Sequence, residues 1–149
     1  MAESLTEPEI QVQILSRPEL LAPVRSMANA LAQDAGLDDM SACHLVLAMD
    51  EALTNVIRHG YAGSPDGRIW IRLARLPDGP GLRVEILDRA RTVDPDQLRS
   101  RDLDEIRPGG LGMHLIRSLV DRFEHAARSE GGMRMVLEKR PAHATAGVA

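Results

Sequence analysis

Residues 44–61 read HLVLAMDEALTNVIRHGY, and the spacing inside this stretch decides the fold class. Leu45, Met49, Leu53 and Val56 recur at helical intervals and mark a buried stripe. Glu51 and Asn55 stand one helical turn apart and project from the same face. Ser41 is a suitable cap for this helix, which is expected to run to about His59 with Gly60 as its stop. A carboxylate above an amide offers the hard oxygen ligands that Mg²⁺ prefers, or a general base beside its orienting neighbour. The same pair also suits a solvated helix face.

Upstream, Ile10, Val12 and Ile14 alternate with polar residues, which predicts a strand over 9–15. Ser16 and Pro18 then signal a helix start, with Leu20, Leu21, Val24, Met27, Ala28 and Leu31 as its apolar stripe and Gly36 as its end. Downstream, the Gly/Pro/Asp turn at 63–67 leads to a predicted hairpin, 68–76 and 82–88, joined by PDGPG at 77–81. In the second strand Asp88 shares its parity with Leu82, Val84 and Ile86. It either faces inward, where a carboxylate needs a partner such as a ligand amine, or begins the turn.

Residues 89–108 carry many charges and little periodicity and read as a long functional loop. Gly109-Gly110-Leu111-Gly112 opens a third helix, whose inner side holds Leu115, Ile116, Leu119, Val120 and Phe123. Glycines at a helix start allow backbone N–H groups to approach a phosphate; they also make a hinge. Strands at 124–129 and 133–139, joined through Gly131-Gly132, complete the chain. One sheet and three helices predict an α/β (α+β) two-layer sandwich, expected to contain a mixed sheet.

Composition excludes several classes. The formal net charge of −4 and the scarcity of aromatics (Trp70, Tyr61 and Phe123 only) speak against nucleic-acid binding. The single cysteine, Cys43, precludes an internal disulfide, fits a reducing compartment and is expected in the core. No apolar run reaches membrane-spanning length and no signal-like segment opens the chain, so a cytoplasmic location without membrane association is expected. Residues 1–7 and 141–149 read as loose ends around one domain at 8–140. His59, His114 and Cys43 lack a clustered metal-ligand pattern.

The order of these elements is more specific than any one of them. His44–Tyr61 resembles the N box of the GHKL ATPase/kinase superfamily, VEILD ending at Asp88 resembles its G1 box, and PGGLGMHLIRSLVDRF (108–123) resembles its G2 box. The form E-A-x-x-N-x-x-x-H-G-Y, the Asp94-Pro95 pair and the G-G-L-G-x-x-L-I-R run are similar to RsbW-type anti-sigma-factor serine kinases. The resemblance covers roughly residues 8–139. It implies a Bergerat-type ATP site: Glu51 as catalytic base, Asn55 holding Mg²⁺, and Asp88 on the adenine amino group. Gly109, Gly110, Leu111, Gly112 and Met113 would lie around the phosphates, under a lid at about 89–108. It also implies a partner switch between a STAS-domain antagonist and a sigma factor, often in a homodimer.

Two positions depart from that pattern, both on the adenine side. Asp88-Arg89-Ala90 replaces the usual D-x-G, which costs energy if the third residue needs φ > 0. Met133 stands where relatives often carry a threonine. Each change is worth on the order of 1 kcal/mol, which implies weakened nucleotide binding on an intact fold. The alternative function is therefore a partner-binding module with weak or lost kinase activity. A third class, the catalytic piece of a two-component histidine kinase, lacks a preceding helix with a phospho-accepting histidine in this sequence.

Overall fold

The computed structural model describes residues 7–90 and 108–142. Five strands form one sheet: β1 (Ile10–Leu15), β2 (Arg68–Arg75), β3 (Leu82–Asp88), β4 (Arg122–Ala127) and β5 (Met133–Lys139). The helices are α1 (Leu21–Asp34), α2 (Asp39–Asn55) and α3 (Pro108–Leu119). A 3-10 turn at Pro18–Leu20 precedes α1, and a π turn at Val56–Gly60 continues α2.

The strand order is β1-β2-β3-β5-β4, and every neighbouring pair is antiparallel. The α+β sandwich expected from the sequence is present, but its sheet is not mixed. The crossover through α3 does return β4 parallel to β3. β5 then folds back between them, so no two parallel strands are neighbours.

Alternation along the strands builds the core. Ile69, Ile71, Leu73, Leu82, Val84, Ile86 and Leu137 are fully buried on one sheet face. Leu45, Met49, Leu53 and Ile116 meet them from the helices. The opposite face carries arginines and glutamates, among them Arg72–Glu85–Arg134 and Arg83–Glu138–Arg122. The buried Glu85 and Glu138 are each bridged by two guanidinium groups, which supplies the pairing a buried carboxylate requires.

Helix boundaries differ from the sequence expectation in three ways. Asp38, not Ser41, caps α2, with its carboxylate accepting from the Ser41 amide at 3.2 Å. Ser16 caps nothing. Its hydroxyl donates to the Ser64 carbonyl and accepts from the Gly67 amide, tying the end of β1 to the turn before β2. The α-helical pattern ends at Asn55, four residues before the expected His59, because the last turn widens to π geometry. β4 also begins two residues earlier than expected. Cys43 is exposed, since α2 turns it away from the sheet. Among the described residues no helix is long and apolar enough to cross a membrane.

Candidate functional site

The packing of α2 fixes where its polar pair can point. Leu45, Ala48, Met49, Ala52, Leu53 and Val56 are buried. Glu51 and Asn55 lie on the other side and are half-buried. Neither side chain has a hydrogen-bond or ion-pair partner among the described residues. The adjacent Asp50 is occupied by Arg25 of α1 at 2.8 Å. Two oxygen-bearing side chains are thus free on one face at the end of the helix. Among the described residues no group of three or more His, Cys, Asp or Glu is placed to hold a metal ion. Such a site suits a cation that takes most of its ligands from phosphate and water, as Mg²⁺ does.

Asp88 is a strand residue facing inward. It lies across from Ile69 on the core side of the sheet and is only 2% exposed. Its Oδ1 accepts two backbone hydrogen bonds, from Ala90 N at 2.9 Å and Met133 N at 3.1 Å. Its Oδ2 has no partner among the described residues. Burial raises the carboxyl above its ordinary value of 3.8, against the lowering effects of the two amides and of Arg128. A carboxylate saturated on one oxygen and open on the other is an acceptor for one further donor.

The surroundings of Asp88 contain residues that sequence reasoning missed. Arg128, in the β4–β5 turn, donates Nη1 to the Asp88 carbonyl at 2.7 Å. Gly132 has φ +89°, and a Cβ there would lie 2.1 Å from that same carbonyl oxygen, so only glycine fits. Tyr61 donates its hydroxyl to the Arg68 carbonyl and accepts from the Arg89 amide at 2.8 Å. The Gly131-Gly132 pair carried a turn signal and Tyr61 closed the HGY triplet. Nothing local in the sequence linked either to Asp88.

Ala90 is buried and its backbone does not take positive φ, so the feared backbone strain is absent. Its methyl sits 3.0 Å from where a Cβ on Gly60 would be. Met133 contributes its amide to Asp88 in place of any hydroxyl. α3 begins at Pro108, so Gly109, Gly110, Leu111 and Gly112 form its first turns, and α3 packs on α2. Met113, the sixth residue of α3, is partly buried against the core and its amide is taken up by the helix itself. Of the expected lid, Arg89 and Ala90 belong to the braced end of β3 and Pro108 to the helix; residues 91–107 lie outside the described residues.

Residues 14–139 match the histidine kinase-like ATPase domain family. The chain is 28% identical over 135 residues to an anti-sigma F factor of Heyndrickxia coagulans, covering 88% of this chain and 90% of that protein. It is 26% identical over 138 residues to the serine-protein kinase RsbW of Bacillus subtilis, covering 87% and 84%. Among solved structures, the RsbU and RsbW domains of a Mycobacterium tuberculosis protein superpose with a TM-score of 0.58 at 18% identity, over 89% of this chain and 33% of that one. A blue-light activated histidine kinase of Erythrobacter litoralis gives 0.57 at 20% identity, over 87% and 43%. The chain therefore spans less than half of either solved protein, and these likenesses concern the fold.

Proposed function

The chain belongs to the histidine kinase-like ATPase domain family, and on that premise we propose that it is an ATP- and Mg²⁺-dependent serine-protein kinase that also captures a sigma factor. The phosphate acceptor would be a serine of a STAS-domain antagonist. The names of the similar proteins support the kinase and anti-sigma halves of this reading.

One observation carries the nucleotide part: Asp88 is buried, with Oδ1 filled by the chain's own amides and Oδ2 left for an outside donor. The adenine amino group is such a donor. Asn55, at the end of α2 and without a side-chain partner among the described residues, would hold Mg²⁺ against the phosphates. Mg²⁺ would neutralise phosphate charge during transfer. The first-turn amides of α3, at Gly109 and Gly110, would receive phosphate oxygens at a helix N-terminus, while the amide of Gly112, the fifth residue of the helix, is taken up by the helix itself. Glu51 would accept the proton of the serine hydroxyl as its oxygen bonds to the γ-phosphorus and the bond to the bridging oxygen of ADP breaks. Positioning and electrostatics supply most of the rate in such transfers.

Met133, which offers Asp88 an amide and the nucleotide no hydroxyl, favours a second reading, a partner-binding module with weak nucleotide affinity. Calorimetric titration with ATP and Mg²⁺, repeated on Asn55→Ala, separates the two. Binding that the substitution weakens supports the kinase. No detectable binding at millimolar ATP would reject it and leave the module.

A further inference from the structure

The segment Asp88–Ala90 is held by contacts from three directions. Ala90 and Met133 amides meet Asp88 Oδ1, Arg128 meets the Asp88 carbonyl, and the Arg89 amide meets the Tyr61 hydroxyl. The first three act on Asp88 itself. Arg128 and Tyr61 hold the two sides of the Asp88–Arg89 peptide, its carbonyl and its N–H, and through the N–H Tyr61 helps set the direction of the next amide, which Asp88 Oδ1 receives.

Tyr61 is well fixed for that task. Its ring lies against Gly67, where an added Cβ would come 2.5 to 2.6 Å from three of the ring carbons. Its one proton goes to the Arg68 carbonyl, so a hydroxyl lone pair is what meets Arg89. Burial raises the phenol above 10.0, which keeps it protonated and able to serve both partners. The preceding Gly60 lies against the Ala90 methyl. Two consecutive residues at the end of the π turn therefore seat two consecutive residues after Asp88. The same turn begins directly after Asn55, so one short stretch joins the proposed phosphate end of the site to its base end.

We propose that Tyr61 is a positioning residue: its hydroxyl fixes the Asp88–Ala90 backbone so that Asp88 Oδ2 is presented to the amino group of the nucleobase. The proposal rests on the ATP reading above. It assigns to the tyrosine the discrimination between a base with an exocyclic amino group and one with a carbonyl there.

The test compares ATP with ITP, which carries a carbonyl at that position, on the full chain and on Tyr61→Phe. The substitution keeps the ring on Gly67 and removes only the hydroxyl. ATP affinity should fall roughly 3- to 10-fold, the worth of about one hydrogen bond. ITP affinity should stay unchanged, so that the preference for ATP collapses. KM for ATP should rise with kcat at saturating ATP preserved. A purely structural role would weaken both nucleotides equally; an unchanged ATP-to-ITP ratio would overturn the proposal. Amide exchange on the unsubstituted chain gives a second reading, independent of the variant: the Arg89 amide should be protected, and fast exchange there would also overturn it. An unsubstituted chain with no preference for ATP over ITP would instead reject the nucleotide reading, and the positioning role with it.

Discussion

Asp88 is under two opposed demands. Burial penalises its charge, yet the proposed base contact needs an acceptor. Asp88→Asn separates them. The two backbone amides bind Oδ1, so they would hold the oxygen of an asparagine in that place and turn its NH₂ to where Oδ2 now stands. A donor would then face the amino group of adenine. ATP affinity should fall roughly 10- to 100-fold, the range for losing a charge-assisted hydrogen bond. The thermal midpoint at neutral pH should hold or rise, since the cost of burying a charge is removed. Calorimetry and thermal unfolding on the same variant check both halves. The acid response follows from the raised carboxyl. The folded state binds this proton more tightly than the unfolded chain, so protonation near that raised value favours the fold while removing the acceptor. ATP binding should therefore weaken as pH falls, beginning above the 3.8 of an ordinary aspartate, and the Asp88→Asn variant should lack that component.

At the scale of elements, the two ends of α2 do different work. Its N-terminus is capped by Asp38, whose carboxyl is held down to about 2 by its hydrogen bonds with Ser41, with the Ala142 amide adding to them. A carboxyl with a lowered value stabilises the fold above its unfolded value and loses that contribution as pH falls toward about 2. Asp38→Ala should lower the thermal midpoint at neutral pH, with the difference from the unsubstituted chain narrowing between pH 4 and pH 2, roughly the window that the two values bound. Unfolding scans across that range check it. The C-terminus of α2 opens into the π turn, a geometry that often marks functional sites. The β4–β5 hairpin closes the same end of the sheet. Gly132→Ala would force both a strained φ and a contact with the Asp88 carbonyl. A cost of about 1–3 kcal/mol is expected from the backbone conformation alone. ATP binding should be lost even where the variant remains folded at low temperature, because the displaced atom belongs to Asp88.

For the molecule as a whole, what the sequence revealed followed its periodicities. Period two along β3 put Asp88 in line with Ile86 and Val84, and the structure keeps it there. Helical spacing put Glu51 and Asn55 on one face away from Leu45, Met49 and Leu53. The features it missed have no period. The π turn carries no composition signal of its own, and the Tyr61–Arg89 bond spans 28 residues. The exposure of Cys43 depends on which side of α2 meets the sheet, and the position of β5 depends on pairing across the whole chain. Core and site nevertheless alternate within one helix, which makes the division between scaffold and chemistry measurable. Leu53 is fully buried while Asn55, two residues later, is half-buried and without a side-chain partner among the described residues. Leu53→Ala should cost about 2–5 kcal/mol through lost burial and the cavity left behind. Asn55→Ala should stay within about 0.5 kcal/mol of the unsubstituted chain, as surface changes without a structural contact do. If Asn55 belongs to the site, its removal abolishes Mg²⁺-dependent ATP binding at an unchanged unfolding midpoint. Leu53→Ala lowers the midpoint, and its nucleotide affinity should survive below the transition. An Asn55→Ala midpoint that fell as far as that of Leu53→Ala would place the asparagine in the packing of α2 and remove the reason for assigning it the cation.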